Sequence, residues 1–304
     1  MKRKPLFKDL NIERLDKFVS KHQSSNDMVN GYPVFSSIEF SINGACNRRC
    51  SFCPRIDPKL YPNILNNMDI NVYKKLITDL KSIKYEGRIS FSGFGEPLLT
   101  KNLNEYVSLC NTIAPEITIE IVSNGDPLLA KNGKKRLSEL FENGLDNIRV
   151  SMYDGPHQIN QFENLKKELL LTDKQFILRK RYLGPDESYG LTISNRAGSV
   201  EMKTDYFELK PLEEPLVSEC YYPFYKVLID YNGDVLICSN DWKKKRPVGN
   251  ISKESILDIW TNEEFVHIRK KLSNKDRSES PCNQCDVNGT LNGKKAFDNW
   301  QDYL

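Results

Sequence analysis

Segments with the pattern of β-strands and of α-helices alternate through the first two thirds of the chain, and this alternation limits the possible folds most strongly. The first predicted strand is Ser37–Ile42, and Asp69 is a suitable N-cap for the first predicted helix. Further strands are expected at residues 88–92, 117–122, 147–152 and 175–182, with helices near residues 103–113, 137–144 and 158–170. Repeated units of this kind predict a parallel sheet with covering helices, open or closed into a barrel. Ligands bind at the carboxyl ends of the strands in such folds.

The chain changes character after about residue 200. Two strand-like runs, Tyr225–Tyr231 and Asp234–Ser239, are joined by Asn232-Gly233, a sequence typical of a tight hairpin turn. Two short amphipathic helices are predicted after the hairpin. We therefore expect three parts: an N-terminal extension at residues 1–34, a core at residues 35–205 and a C-terminal domain at residues 206–304.

Three cysteines follow the first predicted strand with the spacing C-x3-C-x2-C, at Cys46, Cys50 and Cys53. Thiolates this close on one loop can hold three irons of a cubane cluster and leave the fourth iron open to a small molecule. Zinc would need a fourth ligand, and the three histidines of the chain are distant in sequence. The loop therefore predicts a 4Fe–4S cluster with one open iron.

Phe52 stands before the last of these cysteines, so the loop resembles the C-x3-C-x-φ-C motif of the radical S-adenosylmethionine (radical SAM) enzymes. Three further stretches resemble motifs of that family, and each ends a predicted strand: Ser92–Pro97, Ser123–Gly125 and Ser151–Gly155. The resemblance implies a partial (β/α)6 TIM-like barrel. It also implies that S-adenosylmethionine (SAM) binds the 4Fe–4S cluster held by Cys46, Cys50 and Cys53.

The resemblance further implies which residues contact SAM: Phe52, Gly93, Gly95, Glu96, Ser123, Asn124, Ser151 and Arg181. Gly93 and Gly95 would allow the backbone to approach the ligand, although an ordinary strand-to-helix turn has the same requirement. Glu96 would balance the ammonium group of SAM. Arg181 shares a strand face with Arg179, and both would meet a carboxylate or a substrate anion, or lie on a solvated edge.

Four more cysteines, Cys220, Cys238, Cys282 and Cys285, surround and follow the predicted hairpin. Four thiolates bind either zinc or a fully ligated iron–sulfur cluster, and the spacing alone does not separate the two. The arrangement resembles the SPASM and twitch extensions of radical SAM enzymes in a truncated, single-cluster form. The resemblance therefore favours an auxiliary 4Fe–4S cluster that takes or passes an electron.

Reductive cleavage of SAM to a 5′-deoxyadenosyl radical follows from the resemblance, and this radical would abstract hydrogen from a sugar or aminocyclitol-type secondary alcohol. If the auxiliary cluster then accepts an electron, the reaction is a dehydrogenation. If a thiol quenches the carbon radical, it is an epimerisation, but the one spare thiol, Cys110, lies mid-helix, where burial is expected. Dehydration, modification of a peptide or protein, and a metal-binding adaptor without catalysis remain alternatives.

The overall charge is close to balanced, with 44 Lys and Arg against 41 Asp and Glu. This balance does not indicate a nucleic-acid-binding or membrane-surface protein. The basic N-terminus has no apolar segment behind it, so no secretory signal is predicted. We expect a cytoplasmic enzyme with a small-molecule substrate, a flavodoxin- or ferredoxin-type electron donor, and neither nucleic acid nor a membrane as partner.

Overall fold

An eight-stranded sheet forms the centre of the protein in a computed structural model that describes residues 10–22, 28–181, 193–203 and 208–304. Its strands are β1 Ser37–Phe40, β2 Arg88–Phe91, β3 Thr118–Ser123, β4 Asn147–Met152, β5 Phe176–Lys180, β6 Lys226–Ile229, β7 Asp234–Leu236 and β8 Gly249–Asn250. The spatial order is β8-β7-β6-β1-β2-β3-β4-β5. The strands from β6 to β5 in this order run parallel, whereas β7 and β8 are antiparallel to their neighbours.

Helices cover the sheet or close its ends. They are α1 Leu10–Lys21, α2 Ile70–Ser82, α3 Leu103–Ile113, α4 Asp126–Leu129, α5 Gly133–Glu142, α6 His157–Glu168, α7 Tyr222–Tyr225, α8 Ile256–Thr261, α9 Glu263–Ser273 and α10 Lys294–Trp300. Short 3-10 helices occur at Pro54–Ile56, Pro97–Leu99, Cys282–Gln284 and Gln301–Tyr303. Two-stranded ladders join Met28–Val29 to Tyr32–Pro33, Asn43–Gly44 to Ile64–Asn67, and Met202–Lys203 to Glu208–Leu209. Among the residues described, no helix is both long and apolar enough to span a membrane.

The helix predicted from Asp69 is α2, and its start and its buried face are as expected. The Asp69 carboxylate accepts hydrogen bonds from the backbone amides of Asn71 at 2.7 Å and Val72 at 3.4 Å. Tyr73 is fully buried, and its ring meets Phe40 of β1 and Phe91 of β2 at 5.4 and 6.1 Å between centroids. One face of the parallel strands therefore packs against helices, and the opposite face turns inward.

Five parallel strands of the predicted core, β1 to β5, are present among the described residues, and β6 adds a sixth parallel strand. The fifth predicted strand extended to Tyr182, which lies outside the described residues, as do residues 183–192. The predicted hairpin forms, but it does not stand apart from the core. Its first strand, β6, pairs in parallel with β1, with Lys226 opposite Ser37 and Ile229 opposite Phe40. The C-terminal segment thus extends the core sheet.

The hairpin turn is longer than the two-residue Asn232-Gly233 connection predicted from sequence. The Gly233 amide donates to the Asp230 carbonyl at 2.9 Å, and the Asp230 amide donates to the Asp234 carbonyl at 2.9 Å. Gly233 itself is left-handed, with φ of +89°. The connection is therefore a three-residue loop in which glycine occupies the left-handed position.

The N-terminal extension packs on the C-terminal helices. The Tyr32 ring stacks on Trp300 with centroids 5.3 Å apart, and the indole Nε1 of Trp260 donates to the Pro33 carbonyl at 2.8 Å. On α1, Phe18 lies against Arg88 at the amino-terminal end of β2. The described part of residues 1–34 therefore contributes to the core and contacts the sheet at its amino-terminal side.

Candidate functional site

The loop that holds Cys46, Cys50 and Cys53 begins at a residue that also fixes the loop after β2. The Asn43 side-chain oxygen accepts from the Ala45 amide at 2.9 Å, while its amide nitrogen donates to the Glu96 carbonyl and the Thr100 hydroxyl, both at 2.9 Å. All three cysteines are half-buried free thiols. The carboxyl ends of β1 and β2 are thereby held together beneath the cysteine loop.

Arg55 connects three segments around the cysteines, a role that the sequence analysis did not identify. It is only 6% exposed, and its guanidinium donates to the Phe94 carbonyl at 2.6 Å, the Gly44 carbonyl at 2.8 Å and the Asn63 side chain at 3.0 Å. Asn63 in turn exchanges two hydrogen bonds of 3.0 Å with the backbone of Cys46. These contacts give the loop a defined backbone position.

The three thiols lie close enough to affect one another. Burial raises the pKa of Cys50 to about 12, and the charges of Cys53 and Cys46 contribute to the rise. Burial also raises the pKa values of Cys46 and Cys53. Buried, adjacent thiols of this kind lose their protons when a metal centre supplies compensating positive charge. The donor set therefore fits a three-thiolate cluster site.

Gly93 and Gly95 are both required by packing within the chain. Gly93 has φ of +83°, a left-handed conformation that favours glycine. A Cβ atom on Gly95 would lie 2.4 Å from the Asn43 carbonyl oxygen. The loop thus lies directly against the segment that leads to the cysteines. The need for glycine at both positions is therefore explained by the strand-to-helix turn itself. Contact of either glycine with SAM remains a prediction.

Glu96 is a buried connection between the loops after β2 and β3. One carboxylate oxygen accepts from the Leu98 amide at 3.0 Å and the other from the Asn124 amide at 2.8 Å. Burial raises the pKa of Glu96 to about 7, although these hydrogen bonds lower it. The carboxylate therefore has a structural role, and its expected contact with the ammonium group of SAM remains a prediction.

The Ser123-Asn124 stretch lies beside the first cysteine. The Asn124 side chain donates to the Asn47 side-chain oxygen at 2.8 Å, and its nitrogen is 3.9 Å from the Cys46 sulfur. The Ser123 hydroxyl accepts from the Gly125 amide at 2.9 Å and so shapes the turn itself. The motif after β3 therefore faces the cysteine loop.

Arg48, also unidentified from sequence, joins the cysteine loop to the loops after β3 and β4. It donates to both carboxylate oxygens of Asp126, at 2.7 and 2.5 Å, and to both of Asp154, at 2.7 and 2.6 Å. The hydrogen bonds from Arg48 lower the pKa of Asp154. One guanidinium thus holds three loops in a fixed relation.

The remaining expected SAM contacts gather at the end of β4. The rings of Phe52 and Tyr153 lie 5.5 Å apart, Ser151 is buried, and the Arg181 amide donates to the Met152 carbonyl at 2.8 Å. Burial raises the pKa of Tyr153, while the positive charge of Arg181 lowers it. The four loop motifs therefore lie together at adjacent strand ends, and the contact of these residues with SAM stays a prediction.

The second set of cysteines also converges. Burial and the neighbouring thiols raise the pKa of Cys220 to about 11 and that of Cys285 to about 12. Burial raises the pKa of Cys238, and it raises that of Cys282 strongly, with added effects from the other three thiols. Four thiols from three chain segments, two of them buried and two half-buried, fit a fully ligated cluster.

Arg277 holds the segments that flank these cysteines, and sequence patterns offered no signal for this role. It is 3% exposed and donates to the carbonyls of Ser218, Glu219, Val287 and Asn288 at 2.6 to 2.9 Å. The first two carbonyls precede Cys220, and the last two follow Cys285. A single buried side chain therefore fixes both ends of the four-cysteine site.

In the part of the chain that the structure describes, no group of three or more His, Cys, Asp or Glu side chains is arranged to hold a single metal ion. The ligands of one tetrahedral zinc share a centre about 2.3 Å from each sulfur. The thiolates of a cubane bind separate irons and stand further apart. A cluster, and not a single metal ion, is therefore the group that both cysteine sets fit.

Two charged residues form an ion pair beside the second cysteine site. Glu39 is on β1 and Lys226 on the neighbouring strand β6, and their side chains remain 23% and 15% exposed. The Lys226 ammonium lies 3.2 Å from the Glu39 carboxylate and donates to the Ser239 hydroxyl at 3.3 Å, beside Cys238. Since helices cover the outer face of β1, both side chains lie on the inner face of the sheet.

Arg196, in the loop that follows the core strands, also lies between the two cysteine sets. It donates to the Asn240 side chain at 3.2 Å, and its positive charge lowers the pKa of Cys53. The Asn240 amide itself donates to the Cys238 sulfur at 3.4 Å. Cys110, in contrast, is fully buried within α3 beside Tyr73, and burial raises its pKa to about 12.

Two family models match the chain. Residues 40–168 match the radical SAM superfamily, and residues 220–286 match SPASM, an iron-sulfur cluster-binding domain. S-adenosyl-L-methionine-dependent 2-deoxy-scyllo-inosamine dehydrogenase of Niallia circulans is 32% identical over 266 residues, which cover 87% of this chain and 98% of that protein. GTP 3',8-cyclase of Helicobacter pylori (strain HPAG1) is 28% identical over 174 residues, which cover 56% of this chain and 48% of the cyclase.

Solved structures give the same picture. BtrN in complex with AdoMet and 2-DOIA matches with a TM-score of 0.69 at 29% identity, covering 87% of this chain and 98% of that chain. BtrN in an open conformation matches with a TM-score of 0.59 at 27% identity, covering 84% and 93%. The structure of anSMEcpe with bound AdoMet, at 12% identity and a TM-score of 0.57, covers 88% and 97% and shows similarity of fold.

Proposed function

The chain belongs to the radical SAM superfamily, and from this premise we propose that it dehydrogenates a secondary alcohol of an aminocyclitol or a closely related amino sugar. When bound by Cys46, Cys50 and Cys53, the cluster supplies the electron that cleaves SAM to methionine and a 5′-deoxyadenosyl radical. Oxidoreductase chemistry is in keeping with the dehydrogenase that matches this chain over nearly its whole length. The substrate class of this chain is our proposal.

The observation that carries the proposal is the Glu39–Lys226 pair. It presents a carboxylate and an ammonium side by side, on the inner face of the sheet and next to a cysteine of the second site. A polyhydroxylated amine offers hydroxyl donors and an ammonium to the carboxylate, and hydroxyl acceptors to the lysine. This pair is therefore suited to a substrate of that kind.

The second cysteine site supports dehydrogenation over epimerisation. Ketone formation from a secondary alcohol removes one hydrogen atom, one proton and one electron. The hydrogen atom would go to the 5′-deoxyadenosyl radical and the proton to a base or to water, and we assign the electron to the cluster that Cys220, Cys238, Cys282 and Cys285 would hold. Epimerisation would instead need a hydrogen donor, and Cys110 is unsuitable because it is fully buried in α3.

The test is a turnover assay of the anaerobically reconstituted chain with SAM, dithionite and 2-deoxy-scyllo-inosamine. We expect 5′-deoxyadenosine and a ketone in equal amounts. With a substrate that carries deuterium on the carbinol carbon, the deuterium should be transferred to 5′-deoxyadenosine. Cys46→Ala should abolish both products. Cys282→Ala should still cleave SAM but form no ketone. An epimer in place of the ketone, or 5′-deoxyadenosine without any substrate product across aminocyclitols, contradicts the proposal.

A further inference from the structure

Exposed apolar side chains concentrate in one short segment next to the first cysteine loop. Among the residues that the structure describes, ten large apolar side chains are well exposed, and four of them lie within residues 56–65. We call these four the apolar patch: Ile56, Leu60, Ile64 and Leu65, exposed by 49%, 72%, 37% and 82%. Exposed apolar side chains that are concentrated in one segment point to an interaction site, whereas singly scattered ones do not.

The segment is fixed against the cysteine site. Tyr61 packs inward on Trp242, with ring centroids 5.6 Å apart, and Asn63 exchanges hydrogen bonds with the Cys46 backbone. Ile64–Asn67 also pairs with Asn43–Gly44, directly before the cysteines. The inner side chains thus anchor the segment, while Leu60 and Leu65 face solvent on a preformed surface.

The surroundings of the patch are basic. Residues 46–66 contain four Lys or Arg residues and one acidic residue, Asp57, but Arg48 is paired with Asp126 and Asp154 and Arg55 is buried, so Arg49 and Lys59 supply the exposed positive charge. Arg49 and Lys59 are exposed, whereas the Asp57 carboxylate accepts hydrogen bonds from the amides of Lys59 and Leu60. An apolar centre with a cationic rim is complementary to a partner with an acidic surface around an apolar contact.

We propose that the apolar patch, with Arg49 and Lys59, is the docking surface for an acidic, low-potential one-electron carrier protein. This inference rests on the proposed function, because the cluster that Cys46, Cys50 and Cys53 would hold must receive one electron from outside the chain before it can cleave SAM. The carrier is oxidised by one electron, and the carbon–sulfur bond of SAM breaks to give methionine and the 5′-deoxyadenosyl radical. Docking here would bring the carrier next to the loop whose cysteines would hold the cluster that receives the electron.

The test compares two reductants on the reconstituted chain. Leu60→Ser, Leu65→Ser and the double variant are assayed for 5′-deoxyadenosine formation with dithionite and, separately, with reduced flavodoxin and reduced two-cluster ferredoxin. We expect the double variant to lower kcat/KM for the carrier proteins about tenfold or more, while the rate with dithionite stays unchanged. Leu170→Ser, at a residue that is 90% exposed after α6, is the matched control and should leave both rates unchanged.

A binding measurement gives a readout independent of turnover. Titration of the chain with oxidised flavodoxin and ferredoxin should give a Kd that rises about tenfold in the double variant and rises with salt, as charge complementarity requires. Four outcomes would overturn the docking proposal. They are an equal loss of rate with dithionite and with carrier, no loss of rate with either, turnover of the unsubstituted chain with dithionite alone, and an altered oligomeric state without change in carrier kinetics. If the unsubstituted chain forms no 5′-deoxyadenosine even with dithionite, the proposed function itself fails.

Discussion

The carboxylate of Glu96 accepts a 2.8 Å hydrogen bond from the backbone amide of Asn124, so a side chain after β2 fixes the loop after β3. Both loops resemble SAM-binding motifs, and each occupies the carboxyl end of its strand. The relation gives Glu96 a structural role that is separable from any contact with SAM. Substitutions that keep or remove its oxygen acceptors distinguish the two roles.

Glu96→Gln should fold, because the amide oxygen still accepts one hydrogen bond, but SAM binding should weaken if the ammonium group needs the negative charge. Glu96→Ala leaves two buried amides without acceptors and should lower the free energy of unfolding by about 1–3 kcal/mol for each. Chemical denaturation and SAM titration of each variant check these expectations. A Gln variant that binds SAM normally would limit Glu96 to its structural role.

Arg48→Lys should loosen the cysteine loop, since a lysine cannot donate to both oxygens of Asp126 and Asp154 at once. We expect weaker SAM binding and an altered electron paramagnetic resonance spectrum of the first cluster, with the second cluster unchanged. Lys81→Ala removes an exposed ion pair with Glu116 and is the control, with no expected spectral change. Identical spectra for Arg48→Lys and the unsubstituted chain would contradict the role assigned to Arg48.

Sequence periodicity and motif spacing predicted the features that are set by residues close together in sequence. These are α2 with its Asp69 cap, the strands, and the four motifs at adjacent strand ends. Three arginines could not be found this way. Arg48, Arg55 and Arg277 act by joining loops that are distant in sequence, and an isolated arginine in a polar loop has no distinguishing pattern. The parallel pairing of β6 with β1 was missed for the same reason, because it joins residues about 190 positions apart.

Arg277→Met should disrupt the four-cysteine site alone. Four carbonyl groups would lose their donor, and the segments before Cys220 and after Cys285 would separate. Reconstituted chains should then contain about four irons where the unsubstituted chain contains about eight, and should still cleave SAM. Cys282→Ala gives the reference iron content. Full iron content in Arg277→Met would show that this side chain is dispensable for the site.

Glu120 makes the stability of the core depend on pH. Its side chain is 2% exposed and forms ion pairs with Arg88 at 3.3 Å and Arg149 at 2.7 Å. Burial alone would raise the pKa of Glu120, but the two arginines lower it below the ordinary value. A lowered folded-state pKa stabilises the protein above the unfolded-state pKa, and this contribution is lost as the pH falls through the folded-state pKa.

Glu120→Gln should therefore destabilise the chain at pH 7 by about 3–5 kcal/mol, because both guanidinium groups lose their partner. The difference from the unsubstituted chain should shrink below about pH 4, where the unfolded carboxyl group is protonated. Denaturation curves across this pH range measure both effects. A pH-independent difference would contradict the ion-pair assignment.

Glu39 and Lys226 provide the most direct test of the substrate class. Glu39→Gln keeps the size and hydrogen-bonding capacity of the side chain but removes the charge that would bind an ammonium group, so KM for an amino alcohol should rise about tenfold or more. The deaminated, fully hydroxylated analogue should bind the variant and the unsubstituted chain with similar KM, because it has no ammonium group. Lys226→Met leaves the Glu39 carboxylate unpaired and should impair turnover of the amino alcohol. Lys226→Arg keeps the positive charge and should retain part of that turnover. In each variant, SAM cleavage without substrate should stay unchanged. The ion pair joins β1 to β6, and the further hydrogen bond of Lys226 goes to Ser239 in the second cysteine site. Equal loss for the amine and its deaminated analogue would exclude recognition of the ammonium group by Glu39.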